Sequence, residues 1–321
     1  MEIWLPYDDT ECPVDLPDPI DLRISSRILP SRGSRNTVIQ KITNFLSEIH
    51  EPVICIDPTL TREEKKVIKS ALNETGIEYK ENSENYNTVV SIIRQDPLLS
   101  YRGSVTAHYL NVEWNTIKEV ILSANNVKTE VEKLVDRAVK VFPNDIYTID
   151  FIFSGDSPID VECGLGVKAW LRGIEKYKEK WDMKVGISPL TIGSVGGYPY
   201  DANIINILIS FIKVFWIYGN EIEYLLMIGD ASRDLSIDPT KIARIKKEDV
   251  STYADLIIYL FKNLASDFPF THYLLSGYPK SLLKYLGLKV ISDLNSVIKR
   301  IPSRKKRMVT VIEDVLNVNM K

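Results

Sequence analysis

The residue types best suited to binding chemistry are concentrated in one stretch, GSVGGYPYDANIINILISFIKVFWIYG, at residues 193–219. Gly196 and Gly197 allow the backbone to adopt positive φ or to approach a ligand closely. A helix that begins near Pro199 would present backbone N–H groups and the positive end of its dipole, which together attract small anions. Asp201, in the first helical turn, would disfavour a highly charged anion. The pattern predicts a strand-to-helix junction that binds a small carboxylate, with an ordinary tight turn as the alternative.

A polar stripe follows along the same helix. Asn203, Asn206, Ser210 and Lys213 are spaced 3, 4 and 3 residues apart, which places them on one face of a helix that is otherwise apolar. Burying such a stripe without partners would be costly, so it must meet water, a polar contact or a ligand. We expect Asn203 and Asn206 to hold polar groups of a ligand. Lys213 and, elsewhere in the chain, His108 are the candidate proton carriers, since each can titrate usefully in a cleft.

Two further strand ends carry charged side chains. CIDPTLTREE at residues 55–64 presents Thr59 as a candidate polar contact and Arg62 as a candidate anchor for a carboxylate. Helix capping by Asp57 or Thr59 is the alternative there. YLLMIGDASRD at residues 224–234 places Arg233 between two aspartates, a pattern more typical of a local ion-pair turn than of a carboxylate clamp.

The composition indicates an ordinary globular protein. The chain has 321 residues, 45% of them hydrophobic and 26% charged, enough for two domains. A formal net charge of −3 gives no reason to expect a nucleic-acid partner. Three scattered cysteines predict neither a zinc site nor a disulfide framework and favour a cytoplasmic location. The apolar run 204–218 is too short to span a membrane and is predicted to be a buried helix, so no membrane association is expected.

Strands alternate with helices along the chain, which predicts an α/β fold with two lobes, mostly parallel sheets and an interlobe cleft. The turn cluster SGDSPID at residues 154–160 is the best boundary, giving domains of residues 1–154 and 155–321. We expect a helix over residues 161–180. The first 22 residues are rich in proline and aspartate and are expected to run extended along a surface.

With these residues in view, the chain resembles the nickel-dependent lactate racemase family. GGYPYDANI is similar to that family's S-x-G-G-Y-P-x-D-x-N-I segment, and weaker matches follow the family order at LPYDD, ICIDPT, FSGD, LLMIGDASRD and VTVIEDVLNV. The resemblance implies a two-domain racemase-like fold and an isomerase acting on a small hydroxy-carboxylate. It also implies a ligand-binding role for Tyr198, which lies in the matching segment beside Gly196 and Gly197.

The family's catalytic machinery is not recognisable in this chain. The family joins a nickel-pincer nucleotide to a lysine in a glycine-rich segment of its first domain, and no such segment occurs between residues 91 and 153, where His108 is the single histidine. Where the family has a glutamine and a lysine three residues apart on the second-domain helix, this chain has Asn206 and Ile209. We therefore expect no nickel, no pincer nucleotide and no lactate racemase activity as such.

Two hypotheses of different class remain. One is a divergent isomerase that acts on or binds a small hydroxy- or keto-carboxylate without nickel. The other is a non-catalytic binding module, or a subunit of an assembly, derived from the racemase scaffold. The residue pattern leaves open whether the chain is an enzyme and whether it forms an oligomer.

Overall fold

The structure, a computed structural model, describes residues 1–16, 21–25, 34–57, 60, 62–81, 85–92, 145–154, 157–166, 168–181, 187–198, 201–218, 221–231, 244–267, 271–275 and 283–316. The chain forms two compact units. One unit combines Met1–Arg27 with Met183–Lys321, and the other is Ile28–Asp182. We call them the six-stranded unit and the five-stranded unit after their main sheets.

The described strands, in chain order, are β1 (Glu2–Tyr7), β2 (Thr10–Asp15), β3 (Asp21–Ser25), β4 (Val53–Ile56), β5 (Lys80–Glu81), β6 (Thr88–Ile92), β7 (Tyr147–Ser154), β8 (Ser157–Leu165), β9 (Leu190–Ser194), β10 (Tyr224–Ile228), β11 (Thr271–Leu275), β12 (Lys289–Ile291) and β13 (Met308–Ile312). The described α-helices are α1 (Ser34–Leu46), α2 (Arg62–Asn73), α3 (Lys168–Trp181), α4 (Ile204–Tyr218), α5 (Tyr253–Asp267) and α6 (Leu294–Arg300). Short 3-10 turns lie at residues 247–249, 284–286 and 303–305.

The five-stranded sheet has the order β5-β4-β6-β7-β8, with β7 and β8 antiparallel and the other neighbours parallel. The turn cluster at 154–160 therefore joins the two strands of a hairpin, and the division between the units differs from the boundary predicted at residue 154. The expected helix over residues 161–180 is wrong in its first part, which is strand β8. The buried Glu162 of this strand pairs with Arg172 and Lys176 of α3, so cross-strand pairing and this contact decide the local structure.

The six-stranded sheet has the order β12-β11-β10-β9-β13-β3, and all its neighbouring strands are parallel. Helix α4 is buried throughout its described side chains, as its apolar run predicts. Phe211 and Phe215 of α4 pack against Phe261 of α5, with ring centroids 5.6 and 6.2 Å away. These contacts fix α4 in the core, so its few polar residues must find partners inside the unit.

The N-terminal segment is an integral part of the six-stranded unit. Strands β1 and β2 form an antiparallel hairpin, and β3 pairs with β13. Leu5 and Val14 of the hairpin are buried in one apolar cluster with Leu294 and Ile298 of α6. The expectation of an extended surface segment is wrong, because alternate hairpin residues are apolar and cover the sheet.

The predicted α/β class with mostly parallel sheets is confirmed by this architecture. Parallel neighbours end at the same edge of a sheet, so the segments that follow β9, β10 and β13 lie side by side. Within the described ranges, no helix has both the length and the apolar character required to cross a bilayer.

Candidate functional site

A set of polar side chains is buried at the carboxyl edge of β9, β10 and β13 and along α4, the helix that follows β9. We call it the edge cluster, and none of its members is more than 8% exposed: Ser194, Asp201, Asn206, Ser210, Lys213, Asp230 and Asp314. Three of the members are aspartates and one is a lysine. Buried charges are kept in proteins where they are paired or used, so this edge is the candidate site of the six-stranded unit.

The glycine junction gives this edge its shape. Gly196 has φ of 118° and Gly197 has φ of 73°, both in the range that favours glycine. A Cβ on Gly196 would lie 2.6 Å from Oδ1 of Asp314, and one on Gly197 would lie 3.1 Å from the carbonyl oxygen of Asp8. Both glycines adopt positive φ, and the groups that approach them closely belong to the chain itself, whereas approach by a ligand stays a prediction.

The N–H groups of Gly196, Tyr198 and Asp201 are engaged within the unit. The N–H of Gly196 donates to Oγ of Ser194 at 3.0 Å, and that of Tyr198 donates to the carbonyl oxygen of Asp8 at 2.6 Å. The N–H of Asp201 donates to the carbonyl oxygen of Gly197 at 3.1 Å. The turn of the β1–β2 hairpin therefore takes up part of the hydrogen bonding that the sequence assigned to a ligand.

Asn203 caps the helix that follows. Helix α4 begins at Ile204, later than the start expected near Pro199. The Oδ1 atom of Asn203 accepts the N–H of Ile205 at 2.7 Å, and its carbonyl oxygen accepts the N–H groups of Asn206 and Ile207 at 3.1 and 3.3 Å. These bonds occupy donors that were expected to be free for an anion, because an asparagine in this position is itself a good N-cap.

Asp201 joins three segments of the edge and does not lie in the first helical turn as expected. Its Oδ2 atom accepts the N–H of Asp8 at 2.7 Å and the N–H of Asp230 at 3.2 Å. The other oxygen, Oδ1, is buried and makes no hydrogen bond with the described residues. Burial raises the pKa of this carboxyl group from 3.8 to about 7; the nearby Asp8 and Asp230 carboxylates also raise it, and the two N–H bonds oppose the shift.

Tyr7, on the hairpin, faces the same acidic surroundings. Its pKa is raised to about 12, first by burial and then by the charges of Asp230, Asp201 and Asp8. A phenol in this position stays protonated at neutral pH and is a hydrogen-bond donor. The hairpin therefore contributes a donor, Tyr7, and one acidic group, Asp8, to the edge.

The polar stripe of α4 meets polar partners, as the spacing predicts. Oγ of Ser210 donates to the carbonyl oxygen of Asn206 at 3.0 Å. Nζ of Lys213, in a side chain only 3% exposed, donates to the carbonyl oxygen of Leu316 at 3.1 Å. Because Leu316 follows β13, this bond ties the charged end of the stripe to the edge.

The structure brings together only some of the residues predicted to form a site. Gly196, Gly197 and Tyr198 lie in the same unit as the stripe that runs along α4. Arg62 is exposed at the start of α2 in the five-stranded unit, where it lines a shallow surface groove with Lys65, Lys66 and Lys69. Thr59, His108 and Arg233 lie outside the described residues.

Sequence reasoning did not single out Tyr7, Asp8 or Asp314 as site residues. The segments LPYDD and VIEDV that contain them weakly resemble segments of the lactate racemase family, and this resemblance was the available signal. Their roles depend on contacts with residues that are distant in the sequence. The N–H of Asp8 bonds to Asp201, 193 positions later, and Asp314 lies against Gly196, more than 110 positions before it. Within the described part of the chain, no group of three or more His, Cys, Asp or Glu side chains is placed to hold a metal ion.

Comparison with solved structures shows a likeness of fold. The chain matches the lactate racemase apoprotein from Thermoanaerobacterium thermosaccharolyticum with a TM-score of 0.63 and 14% sequence identity, covering 100% of both chains. A structural-genomics protein from Thermotoga maritima matches with a TM-score of 0.38 and 12% identity, over 74% of this chain and 68% of that one. No protein-family model and no curated protein matches the sequence. The chain thus has a lactate-racemase-like α/β fold.

Proposed function

We propose that the six-stranded unit binds a small hydroxy- or keto-carboxylate at the edge cluster and acts on it as a divergent isomerase that needs no nickel. One observation carries the proposal: a lysine and three aspartates are each buried in the edge cluster, and Nζ of the lysine donates to the carbonyl oxygen of Leu316, which follows β13. Such edges are where α/β folds bind small molecules. The likeness to a lactate racemase apoprotein supports the substrate class.

The charges of the cluster suit an acid of low charge. Lys213 supplies a buried positive charge that attracts a carboxylate, and its amine is the candidate proton carrier. Asp201, with its pKa raised to about 7 by burial, is neutral in part of the population near neutral pH and then repels an anion less. Asn206, with its side chain on the same stripe, is the candidate partner for a hydroxyl or keto oxygen.

Calorimetry with a panel of 2-hydroxy and 2-keto acids tests the binding. We expect a monocarboxylate to bind the wild-type chain, and Lys213→Met to weaken that binding at least tenfold, or about 1.4 kcal/mol. Asn263→Leu, at an exposed position of α5, is the matched control and should bind as the wild type does. Failure of every acid in the panel to bind contradicts the proposed function.

Isotope exchange tests the catalytic part of the proposal. An isomerase of this class moves a proton on and off a carbon next to the carboxylate or keto group, so incubation in D2O should place deuterium at that carbon. We expect exchange with the wild-type chain and a loss of at least 100-fold in Lys213→Met. The protein for this experiment is purified after expression with nickel and the enzymes that make the pincer nucleotide. Elemental analysis then measures its nickel content, and about one nickel per chain contradicts the proposal that no nickel is needed.

A non-catalytic binding module is the second candidate. The observation that favours it is that Ser194, Asp8 and Asn203 accept hydrogen bonds from N–H groups of the junction and of the start of α4. These N–H groups therefore stabilise the fold. Binding of an acid without deuterium exchange at any pH supports this alternative against the isomerase.

A further inference from the structure

Backbone hydrogen bonds of Asp8 seat the turn of the β1–β2 hairpin on the glycine junction. The N–H of Asp8 donates to Oδ2 of Asp201 at 2.7 Å, and the carbonyl oxygen of Asp8 accepts the N–H of Tyr198 at 2.6 Å. Asp8 has φ of 49°, which is compatible with its place as the first residue of a two-residue hairpin loop. Oγ of Ser194 also donates to the carbonyl oxygen of Pro6, so release of the Asp8 bonds would free the tip of the turn while Pro6 stays bound at the edge.

The position of the proton on Asp201 follows from its contacts. Oδ2 accepts two N–H groups, from Asp8 and Asp230, whereas the buried Oδ1 has no hydrogen-bond partner in the described part of the chain. A proton on this carboxyl group is therefore expected on Oδ1. The titratable groups that face Asp201 from the neighbouring elements are Tyr7 and Asp8 on the hairpin and Asp230 after β10, and both carboxylates oppose its ionisation.

We infer that Asp201 is a proton-controlled latch, which holds the β1–β2 turn over the edge cluster while neutral and releases it when ionised. The ionised form is enclosed with no solvent on Oδ1 and with two carboxylates nearby, and lifting the turn would give it water. The latch thus regulates access to the edge cluster. This inference rests on the proposed function in one respect, which is that the edge cluster is the binding site.

The direction of the pH effect follows from linkage. The seated form holds its proton up to a pKa of about 7, whereas a released Asp201 titrates at its ordinary value of 3.8. The seated turn is therefore most favoured below pH 3.8, and its population relative to the released turn declines as the pH rises from 3.8 to about 7. With one proton linked, the opening equilibrium constant should rise about tenfold per pH unit within this window and level off above it.

Hydrogen exchange of single amides, measured on the full chain without ligand between pH 5 and pH 8, tests the latch. After correction for intrinsic exchange rates, we expect the N–H groups of Asp8 and Tyr198 to lose protection by about tenfold per pH unit up to neutral pH. The N–H of Val195, which donates to the carbonyl oxygen of Ile228 at 3.0 Å, is an internal control at the same edge and should keep its protection.

Asp201→Asn is the decisive variant, since it retains a carbonyl acceptor and removes the proton. We expect the corrected protection of Asp8 and Tyr198 to be independent of pH in this variant. The same pH dependence in Asp201→Asn and in the wild type, or none in the wild type, overturns the latch. Because no ligand is present, these outcomes are distinct from a failure of the acids to bind, which bears on the proposed function.

A titration of the wild-type chain covers the case in which the variant does not fold. With 13C-labelled aspartate, NMR should show one side-chain carboxyl group with a midpoint near 7. If every aspartate titrates near the ordinary value of 3.8, the latch is overturned without any variant.

Discussion

Gly196 is held by two constraints at once. Its φ of 118° is one that other residues rarely adopt, and the carboxylate of Asp314 lies where a Cβ would be. Where positive φ is the sole constraint, alanine can replace glycine with some backbone strain. Where a neighbouring atom also occupies the Cβ position, the alanine displaces that neighbour as well. The junction is therefore sensitive to a single methyl group.

We expect Gly196→Ala to lower the free energy of unfolding by roughly 3 kcal/mol, since backbone strain contributes about 1–2 kcal/mol and overpacking a further 1–3. Gly287→Ala is the matched control in the same unit, because Gly287 has φ of 74° but no atom within 4 Å of the added Cβ. It should cost about 1 kcal/mol. Urea denaturation of both variants measures the difference, and equal losses would contradict the contact with Asp314.

At the scale of elements, the start of α4 depends on its cap. Asn203 was predicted as a ligand contact, and the structure gives its side chain the N–H of Ile205 as a partner. The two roles differ in what a substitution does to stability in the absence of ligand. The capping role is therefore testable by itself.

We expect Asn203→Ala to destabilise the chain by about 1 kcal/mol and Asn203→Ser, which can also cap, to restore most of the loss. Asn263→Ala, at an exposed position of α5, should change stability by less than about 0.5 kcal/mol. Thermal and urea unfolding without ligand provide the measurement. A neutral Asn203→Ala would show that the cap contributes nothing to stability.

The β1–β2 hairpin offers a second prediction at this scale, because its two faces differ. Leu5 is 1% exposed within the apolar cluster of the six-stranded unit, whereas the neighbouring Trp4 is 53% exposed on the other face. We expect Leu5→Ala to cost about 2–5 kcal/mol and Trp4→Ala less than about 1. Calorimetric or urea unfolding decides between this packing and a loosely attached hairpin, for which both losses would be small.

At the scale of the whole molecule, the order of the chain differs from the order of its units. The six-stranded unit takes its hairpin and β3 from residues 1–27 and the rest from residues 183–321, with the five-stranded unit between them in the sequence. Strand β3 supplies the last position of the sheet beside β13. Residues 183–321 therefore lack a strand and part of their apolar core when they are alone.

We expect a chain of residues 183–321 to be unfolded or aggregated, because it exposes the edge of β13 and the apolar face that Leu5 and Val14 cover. A permuted chain, in which residues 1–27 follow residue 321 through a flexible glycine–serine linker, should fold. Circular dichroism and size-exclusion chromatography distinguish the two chains. Folding of residues 183–321 alone to the same degree would contradict the structural role of the N-terminal segment.

Some features of this protein were determined by local sequence. The alternation of apolar runs with amphipathic segments predicts the α/β class, and the apolar run at 204–218 predicts a buried helix. Gly196 and Gly197 predict positive φ because no other residue adopts it at so little cost. The polar stripe follows from helical spacing alone. Each of these inferences rests on residues within one window of the chain.

Only the tertiary structure decided what those residues meet. The junction contacts Asp8, 193 positions before Asp201, and no window of local sequence contains both. Strand β8 formed where helical spacing had predicted a helix, because pairing with β7 and the contacts of Glu162 outweigh local preference. The raised pKa of Asp201 is likewise a property of its burial and its neighbours, since the same residue in water titrates at 3.8. Local periodicity fixes which face of an element is apolar, whereas the energy of a buried charge depends on every group brought near it.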